Sequence, residues 1–219
     1  MKIDPLRRWL LGAAVFLALA PLAAVADDKV EPPPLSPDDI AILTRIEDYL
    51  NRLDSLQARF VQISSNGAYA EGEVYVDRPG RLRFDYDPPS TVLLVSNGLT
   101  LLYYDRELKQ ASYIPLWETP LWFLVREKVK LGGDLLVTKV EEGLGTLSVT
   151  LQDRESPENG KVTLIFSDSP ITLRKWEVTD AQGVLTQVSL INPLYGEEID
   201  PELFEYSQFE LNKGQRRTD

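Results

Sequence analysis

Histidine and cysteine are both absent from this 219-residue sequence. Their absence removes Cys-His and Ser-His nucleophilic centres and the usual zinc ligand sets. It also removes any disulfide framework and any thiol that could carry a lipid anchor. Basic residues are in deficit: 23 Lys and Arg stand against 34 Asp and Glu, a formal net charge of −11. A nucleic-acid footprint needs a basic stripe, and none is present. The same acidity disfavours adsorption to anionic headgroups, so any dealing with lipid is expected to enclose chains rather than rest on a bilayer. No cofactor is called for. Glu197, Glu198 and Asp200 share a loop but lack the spacing of an EF-hand, and Gly132-Gly133 is a turn rather than a phosphate loop.

Long apolar runs are confined to the N-terminus. Lys2, Arg7 and Arg8 precede an apolar run from Trp9 to Ala20, and Ala24-Val25-Ala26 fits a small-x-small cleavage site. The pattern predicts a secretory signal peptide over residues 1–26, cleaved after Ala26, and a mature protein beyond the inner membrane. A membrane anchor is disfavoured because the run is shorter than the roughly 20 apolar residues a span needs. Losing Lys2, Asp4, Arg7 and Arg8 with the leader makes the mature chain more acidic still. Residues 27–37, with Pro32-Pro33-Pro34, predict a flexible lead-in, and 38–219 predict a single domain.

What is there begins with one clear helix. Ser36 suits the N-cap, Pro37 the first turn, and Asp38 and Asp39 the positive end of the dipole. Leu43, Ile46, Leu50 and Leu53 then recur at intervals of three and four, a single apolar stripe. From Leu56 onward the pattern changes to short alternating runs, near 58–64, 69–78, 81–87, 91–96, 99–105 and 109–114. A second group lies near 135–141, 145–153, 161–167, 171–179 and 184–192. Turn signals fall at Pro79-Gly80, Asn97-Gly98, Glu142-Gly143, Asn159-Gly160 and Gln182-Gly183. A spacing of roughly 8–12 residues predicts one antiparallel meander.

Residues 115–132 break that rhythm. Trp117, Trp122 and Phe123 make the stretch too apolar for a solvated loop, and Thr119-Pro120 reads as a cap and first turn of a short helix. Such a helix must bury itself, and the economical place is beside the first helix, across one face of a curved sheet. The expected architecture is mainly β with an α lid, and the space between lid and sheet is either packed core or cavity.

The chain is organised around residues 71–89. Val74 and Val76 share a strand face with Arg78, and Leu82, Phe84 and Tyr86 share a face of the next strand. Glu71 with Glu73, and Asp85 with Asp87, could be imagined as a glycosidase acid and base. Their parity puts them on the solvent side instead. The sequence therefore supplies no reason to call this an enzyme. Arg78 closes an apolar row, where a guanidinium needs acceptors or water. Two roles are open to it: to snorkel from a strand end to a nearby carboxylate, or to sit in an apolar concavity and hold backbone carbonyls of a movable element.

The run Gly72-x-Val74-Tyr75-Val76-x-Arg78-Pro79-Gly80-Arg81-Leu82-Arg83-Phe84-x-Tyr86, followed by Pro88-Pro89 and Ser96-Asn97-Gly98, resembles the periplasmic outer-membrane lipoprotein carrier family (LolA-type). The resemblance continues through Tyr103-Tyr104-Asp105, Thr119-Pro120-Leu121 and Asp200-Pro201-Glu202-Leu203-Phe204. It implies a curved antiparallel incomplete β-barrel covered by short helices and enclosing an apolar cavity for acyl chains. It implies that Arg78 latches lid carbonyls when the protein is closed. Leu82 falls where relatives often carry an aromatic residue at the cavity mouth. By parity and helical spacing, Val74, Val76, Leu82 and Phe84 are the expected wall. Leu43, Ile46, Leu50, Trp122, Phe123 and Leu124 are the expected lid lining. The implied function is a monomeric chaperone carrying acylated lipoproteins from the inner to the outer membrane. The implied partners are an ATP-driven release complex in the inner membrane and an acceptor at the outer membrane. A carrier of another lipid or glycolipid is an alternative. So is a lipid-sensing regulatory module of the same fold, which the end of the chain soon after Phe209 disfavours.

Overall fold

In the computed structural model, residues 34–133, 135–155 and 157–206 are described, all within the unit Pro32–Asp219. The expected leader 1–26 with its cleavage point, residues 27–33 of the lead-in, and Phe209 lie outside the described residues. The first element is α1 (Pro37–Arg52). Ser36 Oγ accepts from the Asp39 N–H at 3.1 Å while Asp39 Oδ2 accepts from the Ser36 N–H at 2.9 Å. This reciprocal capping satisfies two donors that a helix start otherwise leaves orphaned. The apolar stripe is buried as its spacing predicts, with Ile42 added to it.

Among the described residues eleven strands follow, all paired antiparallel. They are β1 (Ser55–Ser64), β2 (Tyr69–Asp77), β3 (Arg81–Tyr86), β4 (Val92–Asn97), β5 (Thr100–Asp105) and β6 (Gln110–Pro115), then β7 (Leu135–Gly143), β8 (Thr146–Asp153), β9 (Gly160–Ser167), β10 (Thr172–Asp180) and β11 (Leu185–Tyr195). Their spatial order is β6-β5-β4-β3-β2-β1-β11-β10-β9-β8-β7. Two meanders are thus joined at the middle, where β1 pairs with β2 on one side and β11 on the other. The sheet does not close: β6 and β7 are its two edges. The turn expected at Glu142-Gly143 falls instead at Leu144-Gly145, where Gly145 supplies the positive φ of 76°.

The segment between the two edges crosses from β6 to β7. It holds a 3-10 turn at Leu116–Glu118 and a four-residue helix, α2 (Trp122–Val125). The cap expected at Thr119 is not formed. Thr119 Oγ1 donates back to the Leu116 carbonyl at 2.7 Å, closing the 3-10 turn, and Leu121 precedes α2 with no side-chain cap. The hydroxyl that could have started a helix is spent on ending a turn.

One apolar cluster joins α1, α2 and one face of the sheet. The other face is charged. Arg59 lies 2.7 Å from Asp87, 3.9 Å from Glu73 and 4.0 Å from Glu71, while Asp85 bridges Arg83 and Arg106 at 2.8 and 2.6 Å. The four carboxylates that might have passed for catalytic pairs are thus ion-paired away from the core. Burial opposes ionisation of Asp85, yet the two guanidinium groups hold its carboxyl below the usual value. The outer face also carries a small second cluster of Leu93, Val95, Leu102 and Tyr104. Tyr206 packs on it, and Arg83 donates to the nearby Leu203 carbonyl at 2.9 Å.

Candidate functional site

The β2–β3 turn reaches the lid because two hairpins touch behind it. Gly80 has φ 79°, and a Cβ there would stand 2.6 Å from the Gly98 carbonyl oxygen, so only glycine lets the β4–β5 turn approach so closely. Buried Ser96 donates to the Gly80 carbonyl at 2.9 Å and ties the two turns together. The Arg78 N–H donates to the Asp54 carbonyl at 2.9 Å, fixing the root of the arginine beside the end of α1.

From that root the guanidinium of Arg78 spreads over both helices. Nε donates to the Leu124 carbonyl at 2.5 Å, one terminal nitrogen donates to the Phe123 carbonyl at 3.2 Å, and the other donates to the Leu50 carbonyl. The Gly80 N–H adds a bond to the Val125 carbonyl at 2.8 Å. The last carbonyls of a helix have no partner within it, and in a four-residue helix that means every carbonyl after the first. Trp122 gives its carbonyl to the Arg126 N–H, and the next three go to the β2–β3 turn. A planar fork with fixed donor directions suits this task better than an ammonium, and positive charge at helix C-termini is favoured by the dipole. Burial lowers the Arg78 pKa to about 10, with partial compensation from Asp54, so the group is still charged at neutral pH. Of the two kinds of partner open to Arg78, its guanidinium meets backbone carbonyls, those of Leu50, Phe123 and Leu124.

The expected lining residues all belong to one apolar cluster. Val74, Val76 and Leu82 are fully buried and Phe84 nearly so. Against them pack Leu43, Ile46, Leu50, Phe123 and Leu124, with Trp122 partly buried at the margin. In the structure they make a packed core. The side chains of the lid occupy the space between helix and sheet. Open volume lies instead between the crossing segment and the ends of β8–β10, a cleft of about 790 Å³. Trp117, Trp122 and Phe123 line it from one side, and Leu151, Val162 and Val178 from the other.

One central residue escaped the sequence reading. Trp176 is 1% exposed and meets Phe84 of the wall and Phe123 of the lid edge-on, with centroids 6.3 and 6.2 Å apart. Its parity with Val178 was the available signal. A register shift between Leu173 and Lys175 obscured it, because strict alternation from buried Leu173 puts Trp176 on the wrong face. Tyr49 is a second such residue. Its hydroxyl accepts from the Leu173 N–H at 3.0 Å, mooring α1 to β10, and burial raises its pKa.

The architecture is mainly β, an open antiparallel sheet with short helices packed on its apolar face. The chain belongs to the family described as outer membrane lipoprotein carrier protein LolA, whose family model matches residues 51–207. An outer-membrane lipoprotein carrier protein of Azotobacter vinelandii is 30% identical over 213 residues, covering 91% of this chain and 93% of the relative. One from Methylococcus capsulatus is 27% identical, covering 75% and 82%. A solved LolA superfamily protein from Nitrosomonas europaea overlaps 76% of this chain and 97% of its own, with 12% identity and a TM-score of 0.46. Among the described residues, no helix is long and apolar enough to cross a membrane.

Proposed function

We propose that this protein is a periplasmic chaperone that shields the acyl chains of lipoproteins and carries them from the inner to the outer membrane. Each methylene moved from lipid to water costs about 0.8 kcal/mol, so an acylated N-terminus does not leave a bilayer unaided. A carrier has to offer comparable apolar surface and then surrender it. Permanently exposed apolar surface invites aggregation. The observation that carries the reading is the Arg78–Gly80 turn holding the carbonyls of Leu50, Phe123, Leu124 and Val125 above a wholly apolar wall. Hydrogen bonds, apolar contacts and the Arg45–Asp168 ion pair keep this lid shut, and arriving chains replace the apolar contacts with their own.

On this reading the empty protein is closed and the cargo-bound protein open, with Arg78 free in the latter. The leader delivers the chain to the periplasm, where it works as a monomer. An ATP-driven release complex in the inner membrane loads it, and an acceptor at the outer membrane unloads it. The Trp122 cleft is where chains first enter, since it is open beside the lid and Trp117, Trp122 and Phe123 line it.

Binding of a fluorescent diacylated peptide to the purified protein tests the lining. Trp122→Glu keeps its fold, since Trp122 stands at the margin of the core. It weakens the peptide by about tenfold or more, the worth of a half-buried aromatic contact replaced by a charge. Undiminished binding would remove the cleft from the path of the chains.

A further inference from the structure

Arg78 fastens the lid to the sheet, and a separate set of bonds fastens the two parts of the lid to each other. On α1, Glu47 and Asn51 are four residues apart and share a face. Asn51 Nδ2 donates to the Val129 carbonyl at 2.9 Å, and Asn51 Oδ1 accepts from the Val129 N–H at 2.9 Å. One turn earlier, Glu47 Oε2 accepts from the Leu131 N–H at 2.8 Å, and Lys130 Nζ stands 3.6 Å from the other carboxylate oxygen. An amide side chain carries a donor and an acceptor side by side in one plane, which matches the N–H and carbonyl of a single residue. The helix therefore pairs with the backbone of 129–131 much as a neighbouring strand would. Val129 and Leu131 are themselves buried in the shared core. No bond of this clasp touches the sheet. The polar ties of α1 to the sheet lie elsewhere: Arg45 to Asp168 at 2.7 Å, Tyr49 to Leu173, and the Leu50 carbonyl to Arg78.

We infer that Asn51 and Glu47 are positioning residues that splice α1 to the 122–131 segment, so that the lid leaves the sheet as one unit when Arg78 lets go. The inference takes its purpose from the carrier reading, while its geometry does not depend on it. Arg78 grips two different pieces of chain, Leu50 on α1 and Phe123 with Leu124 on α2. Were these pieces independent, a chain entering beside Trp122 would free α2 and leave Arg78 attached to α1. With the clasp in place, displacing either piece draws the other after it, and one entering chain clears the whole fork.

Hydrogen exchange on the purified protein, read by mass spectrometry without cargo, tests the splice apart from the function. In Arg78→Leu, the amides of α1 and of 122–131 gain exchange by a common factor. Adding Asn51→Ala and Glu47→Ala separates the two factors by about tenfold, the worth of the lost hydrogen bonds. Adding Glu47→Gln alone, which keeps the acceptor for Leu131, leaves them equal. The amides of β8–β10 report whether the sheet is intact. If the triple variant loses that protection, Arg78→Leu with Asn51→Ala alone gives the same comparison. Equal factors after removal of the clasp overturn the inference, as do unequal factors in Arg78→Leu with the clasp present. Either result leaves the carrier reading standing, because no lipoprotein enters the measurement.

Discussion

On the carrier reading, Arg78→Leu is expected to take up acylated lipoprotein and fail to hand it on. The substitution removes three hydrogen bonds from a charged donor, each worth about 1.5–3 kcal/mol. Part of that loss is returned, because the leucine no longer pays the burial cost that depresses the arginine's pKa to about 10. The net loss to the closed state is about 3 kcal/mol, or more than a hundredfold in the ratio of closed to open. Loading needs only the open state and proceeds. Delivery depends on the closed state competing with cargo, so it falls by a similar factor in a transfer assay to outer membranes. Arg78→Lys falls between, since an ammonium keeps the charge without the planar fork. The parent latch is insensitive to pH between about 5 and 9. The acceptors are carbonyls, no histidine is present, and burial lowers the arginine only to about 10, so it stays protonated across that window. Normal delivery by Arg78→Leu would remove the latch from the mechanism.

Trp176→Ala lowers global stability by about 3–5 kcal/mol, the usual cost of emptying a large aromatic site in a core. Urea denaturation reads this as a fall in midpoint at unchanged slope. The effect is large because Trp176 is shared. It meets Phe84 on the sheet wall and Phe123 on the lid, and each edge-on ring pair adds about 0.5–1.5 kcal/mol beyond area burial. The same variant loosens the lid, so its diacylated-peptide binding becomes faster in onset as stability drops. A loss below about 1 kcal/mol would mean that Trp176 is not the bridge between wall and lid.

Much of this was legible in the sequence, for reasons that are local. Alternation over 71–87 separates Val74, Val76, Leu82 and Phe84 from the charged face, and the structure buries those four. The oddness of Arg78 at the end of an apolar row pointed to a guanidinium in need of acceptors. The capping signals around Ser36 depend on neighbours three residues apart, and they hold. What was not legible depends on distant partners. The pairing of β1 with β11 joins residues more than a hundred positions apart, and no local pattern specifies it. Nothing in the local sequence marks Asn51, because its partner Val129 is 78 residues away. Thr119-Pro120 offered a sound local start for a helix, but the Leu116 carbonyl competed for the hydroxyl. Whether the space beneath the lid is core or cavity also lay beyond reach, since the same apolar side chains serve for both. The structure packs them.

The most direct measurement adds the purified mature protein to spheroplasts that are synthesising a labelled outer-membrane lipoprotein. The account predicts that label leaves the membrane and appears in the soluble fraction as a complex with this protein. Label that stays with the spheroplasts, while the diacylated peptide still binds, would contradict lipoprotein carriage and leave a carrier of some other lipid.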